Sequence, residues 1–184
     1  MGILAVCFWS STVGVSRIAM ESIGIFTCVA VIHVVSGTLA CGYLLARGRL
    51  GPILMLPRKF LFGCGTLFVL YACCLYASIG LASGRKETIV VGLANYMWPT
   101  LVLLFSVPIQ RSRWRWTLIP GALLAPCGIV LAAMDVRGIS AAGLLAQVQA
   151  NRAAFVIALA GAVLWGLYSN LSRVWGGPSA KGEF

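Results

Sequence analysis

The chain has 184 residues, 60% of them hydrophobic and only 10% charged, with a formal net charge of +10 and a mean hydropathy of +0.96. A soluble chain of this length cannot hide so much apolar surface, so a water-soluble domain is excluded and an all-α polytopic membrane protein is expected. The charge excess invites a nucleic-acid reading, which the placement of the charges argues against.

Apolar runs of about 18 residues read as membrane-spanning helices. Six are predicted, at roughly 2–19, 24–46, 58–82, 88–109, 115–134 and 153–174. The first carries Trp9 and Ser10 to Thr12 mid-span, lacks a basic leader and has no clear cleavage site, so it reads as a span and not as a removable signal peptide. The second contains His33, the only residue within the spans that titrates near neutral pH. An ionisable side chain inside a membrane is a functional candidate by default, set against the plainer reading of a neutral histidine bonded to a neighbouring helix. The fourth is the most informative. From Thr88 to Ile109 it has no charge, yet it holds GLANYMWPTL at 92–101. Pro99 has no N–H, so the carbonyl of Asn95, four residues back, is expected to lose its helical partner. A freed carbonyl, the Asn95 amide and the faces of Tyr96 and Trp98 suit a flat polar molecule. Helix packing is the alternative role for these two aromatics.

The basic residues mark topology. Arg47, Arg49, Arg58, Lys59, Arg111, Arg113, Arg115, Arg173 and Lys181 fall in loops on one side, nine of the 14 in all. Arg17, Arg85, Lys86, Arg137 and Arg152 fall on the other. Lys/Arg excess marks the cytoplasmic side, so the N-terminus is expected inside, in a bacterial inner (plasma) membrane crossed several times. Trp114 and Trp116 beside Arg113 and Arg115 read as an interfacial aromatic belt.

Metal and acid–base chemistry find little support. The seven cysteines lie in apolar spans with no C-x-x-C pair, where a thiol behaves as a small hydrophobe, so no metal site is expected. The four acidic residues, Glu21, Glu87, Asp135 and Glu183, fall at helix ends or in loops, which leaves no positioned carboxylate for an intramembrane enzyme. Small-xxx-small pairs at Gly121/Ala125, Gly128/Ala132 and Ala158/Ala162 predict close helix approach.

An internal repeat suggests an architecture. Trp9 is followed by Ser16 and Arg17, and Trp165 by Ser172 and Arg173, at the same spacing. An odd number of helices between the starts turns the second copy upside down, and inverted repeats build secondary transporters with a midplane site. The expected organisation is a five-helix repeat over 2–135, an extracytoplasmic loop over 136–152, the first helix of a truncated second repeat over 153–175, and a tail over 176–184. On this reading the chain is a fragment, a frameshifted product or half of a split carrier, set against a complete short protein.

The segments FWSSTVGVSR, VIHVVSG, ANYMWPTLVLLF and LIPGALLAPCGIVLA together resemble the YddG-type aromatic amino acid exporters, carriers with EamA domains in the drug/metabolite transporter superfamily. The resemblance runs from about residue 3 to residue 175. It implies an EamA-type fold of ten helices in two inverted five-helix repeats, no cofactor, and export of aromatic and other amino acids through a central cavity by alternating access. Carried over by position, Asn95, Tyr96, Trp98 and Pro99 match the family's N-Y-x-W-P. Trp9 matches its helix-one tryptophan, and Arg17 the arginine eight residues later. Substrate-binding candidates are therefore Asn95, Tyr96, Trp98, Pro99, His33 and Trp9. Arg17 is a candidate for gating or for holding the substrate carboxylate, set against a cation snorkelling at a helix end. Tyr71, Tyr76 and Tyr168 are further possible wall residues. The chain departs from the family pattern at Val90 and Ala72, where acidic residues occur, and at His33, where an aromatic such as tyrosine is common. Expected partners are an aromatic amino acid, the lipid bilayer, and either a second copy or a separate second half, with no nucleic acid. Two other readings remain: a non-transporting fragment or assembly partner, and an exporter of other lipophilic or cationic metabolites.

Overall fold

A computed structural model describes residues 2–49, 51, 53, 55–113, 116, 118–135 and 140–176. Every regular element among them is a helix. In chain order these are α1 (Gly2–Ile23), α2 (Ile25–Ala46), α3 (Lys59–Leu81), α4 (Arg85–Asn95), α5 (Trp98–Gln110), α6 (Leu118–Asp135), α7 (Ala141–Ala150) and α8 (Arg152–Trp175). Four segments are long and apolar enough to cross a membrane: Ile25–Ala46, Lys59–Leu81, Glu87–Gln110 and Arg152–Trp175. The first turn of α3, Lys59–Cys64, is wound as a π-helix.

Gly24 breaks α1 from α2 with φ +82°, a conformation open to glycine at no steric cost. The expected single span at 88–109 is two helices joined by a two-residue turn at Tyr96–Met97. The reason is Pro99. It sits in the first turn of α5, where a missing N–H is tolerated, and α4 ends at Asn95, the residue whose carbonyl Pro99 cannot serve. The expected loop at 136–152 contains a helix, α7. Ser140 caps it, its hydroxyl accepting the Gly143 amide at 3.2 Å, and the run AAGLLAQVQA holds strong helix formers. Residues 136–139 and most of the tail lie outside the described residues.

Helix α8 is the hub. It packs most extensively on α3 and α5, and then on α4. Its contact face is small: Ala154, Ala158, Ala162, Gly161 and Gly166 are buried. Close approach is thus borne out for Ala158/Ala162, both fully buried. It is not seen on α6, where a Cβ added at Gly121 or Gly128 meets nothing within 4 Å. A Cβ at Gly63 would come within 2.6 Å of the Trp175 ring, so the end of α8 rests on the π-helical turn of α3.

Buried amides cross-tie the helices. Asn95 on α4 donates from Nδ2 to the Ala158 carbonyl of α8 at 3.1 Å. Asn170 on α8 is fully buried, donates to the Val102 carbonyl of α5 at 3.0 Å and accepts from Gln110. Asn151 accepts from both the amide and the hydroxyl of Ser83. In an apolar medium each such group needs a partner inside the protein, which makes these ties a determinant of helix register.

Candidate functional site

A cavity of about 170 Å³ opens among α1, α2, α3 and the end of α4. Thr12, His33, Tyr71, Tyr76, Asn95 and Tyr96 supply its polar groups, and Phe68, Ala72, Leu75 and Gly92 complete the wall. No lining residue carries a formal charge with the histidine neutral. The site therefore suits a molecule that presents both an apolar body and hydrogen-bonding groups.

The wall is built of aromatic rings. Tyr71 and Tyr76 project from α3, five residues apart, and both are buried. Behind Tyr71 stands Trp165 of α8, with ring centroids 4.6 Å apart and planes tilted by 47°. Trp165 also touches Tyr168 at 5.2 Å and Trp98 at 6.1 Å, the latter edge-on at 73°. Offset and edge-to-face pairs of this kind are each worth about 0.5–1.5 kcal/mol beyond burial. Trp98 therefore stands two rings behind the cavity, linked to it through Trp165 and Tyr71. The Tyr71 hydroxyl and the Trp98 indole N–H are buried with no hydrogen-bond partner among the described residues. Tyr71 is 2% exposed, so its ring lines the cavity while its hydroxyl is buried in the wall.

The polar groups have fixed orientations. The Asn95 amide nitrogen is committed to the Ala158 carbonyl, an acceptor, which assigns the flip and leaves Oδ1 as an acceptor. His33 lies at the exposed rim, edge-on to Tyr76 with centroids 5.7 Å apart and planes at 82°. Its Nδ1 is 2.9 Å from the Val29 carbonyl one turn back.

Of the residues expected at a site, Asn95, Tyr96 and His33 line one cavity. Pro99 shapes the turn that presents Tyr96, and Trp98 supports the wall from behind. The Trp9 side chain lies outside the described residues. Arg17 is engaged elsewhere: Nη1 donates to the Ile79 and Ala82 carbonyls at 2.9 and 3.0 Å, and Nε bonds Glu21 at 3.0 Å. It caps the C-terminus of α3, where a cation meets the negative end of the helix dipole. The sequence had pointed to Tyr71 and Tyr76 without aiming them. Trp165 stood out only as part of the repeat, and no spacing signal marks it as the centre of a ring cluster.

Fold and cavity together define an all-α, multi-pass membrane protein with a neutral, aromatic-walled cavity between its helices. The likeness to YddG-type exporters holds across the chain. It is 30% identical over 173 residues to "Aromatic amino acid exporter YddG" of Salmonella typhimurium, covering 94% of this chain and 58% of the relative. It is 29% identical over 173 residues to the protein of that name from Escherichia coli, again with 94% and 58% covered. For that from Ancylobacter novellus the figures are 28% over 174 residues, with 94% and 57% covered. The chain thus spans under two thirds of the length of the curated relatives it matches. No protein-family model matches it, and no solved structure matches it significantly.

Proposed function

We propose that the chain is the substrate-binding part of a secondary carrier that exports aromatic amino acids across a bacterial inner membrane. The observation that carries this is the uncharged, aromatic-walled cavity among helices long enough to span the bilayer, in a chain similar to exporters along nearly all its length. The substrate ring lies against Tyr71 and Tyr96, which removes apolar surface from water at about 25 cal/mol per Å². Asn95 Oδ1 accepts from the ammonium group. The Asn95 carbonyl, which Pro99 cannot serve, offers a second acceptor. The protein performs no bond chemistry.

Residues 2–135 form an EamA-type repeat, and α8 opens an inverted second one. The N-terminus is cytoplasmic, following the basic loops. Transport proceeds by alternating access, one repeat rocking against the other around the cavity, with further helices completing the carrier.

The test is release of Phe, Tyr and Trp from bacterial cells loaded with the matching dipeptides. The cells express the chain with a C-terminal reporter that confirms insertion. Release faster than from an empty vector, and lost on Tyr71→Ala or Trp98→Ala with insertion intact, supports the reading. Release equal to the empty vector despite correct insertion refutes export by this chain and favours a non-transporting assembly partner. Export restricted to lipophilic cations assigns the cavity to other metabolites.

A further inference from the structure

We propose that His33 sets the charge preference of the cavity, selecting amine-bearing ligands when neutral and amine-free carboxylates when protonated. This rests on the cavity being the ligand site.

The inference starts from the tautomer. The Val29 backbone carbonyl only accepts, so the His33 Nδ1 at 2.9 Å from it carries the hydrogen in the neutral ring. The other nitrogen, Nε2, then holds a lone pair. Neutral His33 therefore adds an acceptor to a rim whose inner wall already offers Asn95 Oδ1, and two acceptors suit an ammonium group. On protonation Nε2 becomes a donor and the ring gains a full positive charge. The cavity then contains one cation and no anion, so it repels an ammonium group and attracts a carboxylate.

Among the described residues that line the two pockets at His33, no other group changes charge in that pH range. From α3 come Tyr71 and Tyr76 in the cavity, and Cys73 in a second pocket of about 280 Å³ that His33 also lines. From α4 comes Tyr96, and from α1 the hydroxyl of Thr12. Phenols and thiols of ordinary pKa stay neutral between about pH 5 and 7.5, whereas imidazole changes charge there. The carboxylate and guanidinium nearest on α1, Glu21 and Arg17, pair with each other and line neither pocket.

The test measures binding of phenethylamine and of 3-phenylpropionate to the detergent-solubilised full chain by calorimetry. Both probes keep one charge state across about pH 5.5–7.5, a window in which imidazole titrates. As pH falls, affinity for phenethylamine should drop by about fivefold or more while affinity for 3-phenylpropionate rises by a similar factor, the usual range for coupling between two sites. His33→Gln, neutral throughout, should flatten both slopes. The chain has a single histidine, so ¹⁵N labelling yields one imidazole signal pair free of overlap. It should report Nδ1–H in the neutral ring and a shift of Nε2 on adding phenethylamine. Slopes of the same sign, slopes that survive His33→Gln, or a silent Nε2 with bound probe would overturn the assignment while leaving the site in place. Failure of both probes and of Phe to bind at any pH would remove the site itself, and this inference with it.

Discussion

Gly161→Ala is the sharpest probe of how α8 holds the cavity wall. A Cβ at Gly161 would lie 3.0 Å from Asn95 Nδ2 and 3.3 Å from Cys74 Cβ. The Asn95 amide must retreat, which weakens its bond to the Ala158 carbonyl. Overpacking of this sort costs about 1–3 kcal/mol. An interhelical hydrogen bond in a membrane adds about 0.6 kcal/mol, and replacing glycine by alanine in a helix returns about 1 kcal/mol. The balance is a net loss of about 0.6–2.6 kcal/mol. With Asn95→Ala already in place the 3.0 Å contact is gone and only the milder Cys74 contact remains. Gly161→Ala should then be neutral or slightly stabilising. The assay is SDS-induced unfolding in mixed micelles, followed by tryptophan fluorescence, on the wild type, both single variants and the double variant. Opposite signs of the Gly161→Ala effect in the two backgrounds support the geometry. Equal costs within about 0.5 kcal/mol, the tolerance for independent sites, would mean that Asn95 does not lean on Gly161.

Arg17→Ala should destabilise the bundle by about 1–3 kcal/mol by stripping charged hydrogen bonds from the Ile79 and Ala82 carbonyls, yet leave ligand affinity unchanged; lost binding at full stability would return Arg17 to the substrate path. Trp165→Ala should cost about 3–5 kcal/mol, because four rings, those of Phe68, Tyr71, Trp98 and Tyr168, lose their common neighbour; a loss below 1 kcal/mol in the same unfolding assay would show that the cluster does not bear on stability.

Long apolar runs made α2, α3 and α8 legible, and Pro99 made the unserved Asn95 carbonyl legible, because a missing N–H acts locally whatever surrounds it; that the span divides into two helices there was not legible. Helix α7 was hidden by its ten-residue length and by Gln147 and Gln149, which read as loop. The directions of Tyr71 and Tyr76 were hidden for a different reason. A helix apolar on every side has no polar face to orient it, so only its neighbours decide which rings meet. The role of Arg17 was hidden because its partners are the backbone carbonyls of Ile79 and Ala82, sixty-odd positions away, and backbone leaves no mark in residue identity.

The placement of α8 also governs the order in which the protein can be made. Chains enter the membrane from the N-terminal end, and α8 follows α3, α4 and α5. Until it arrives, the Asn95 amide on α4 and Gln110 on α5 lack their α8 partners, and the grooves shaped for Ala158 and Gly166 stand open to lipid. The earlier helices must therefore wait in the bilayer, inserted but unlocked, for the helix that closes them.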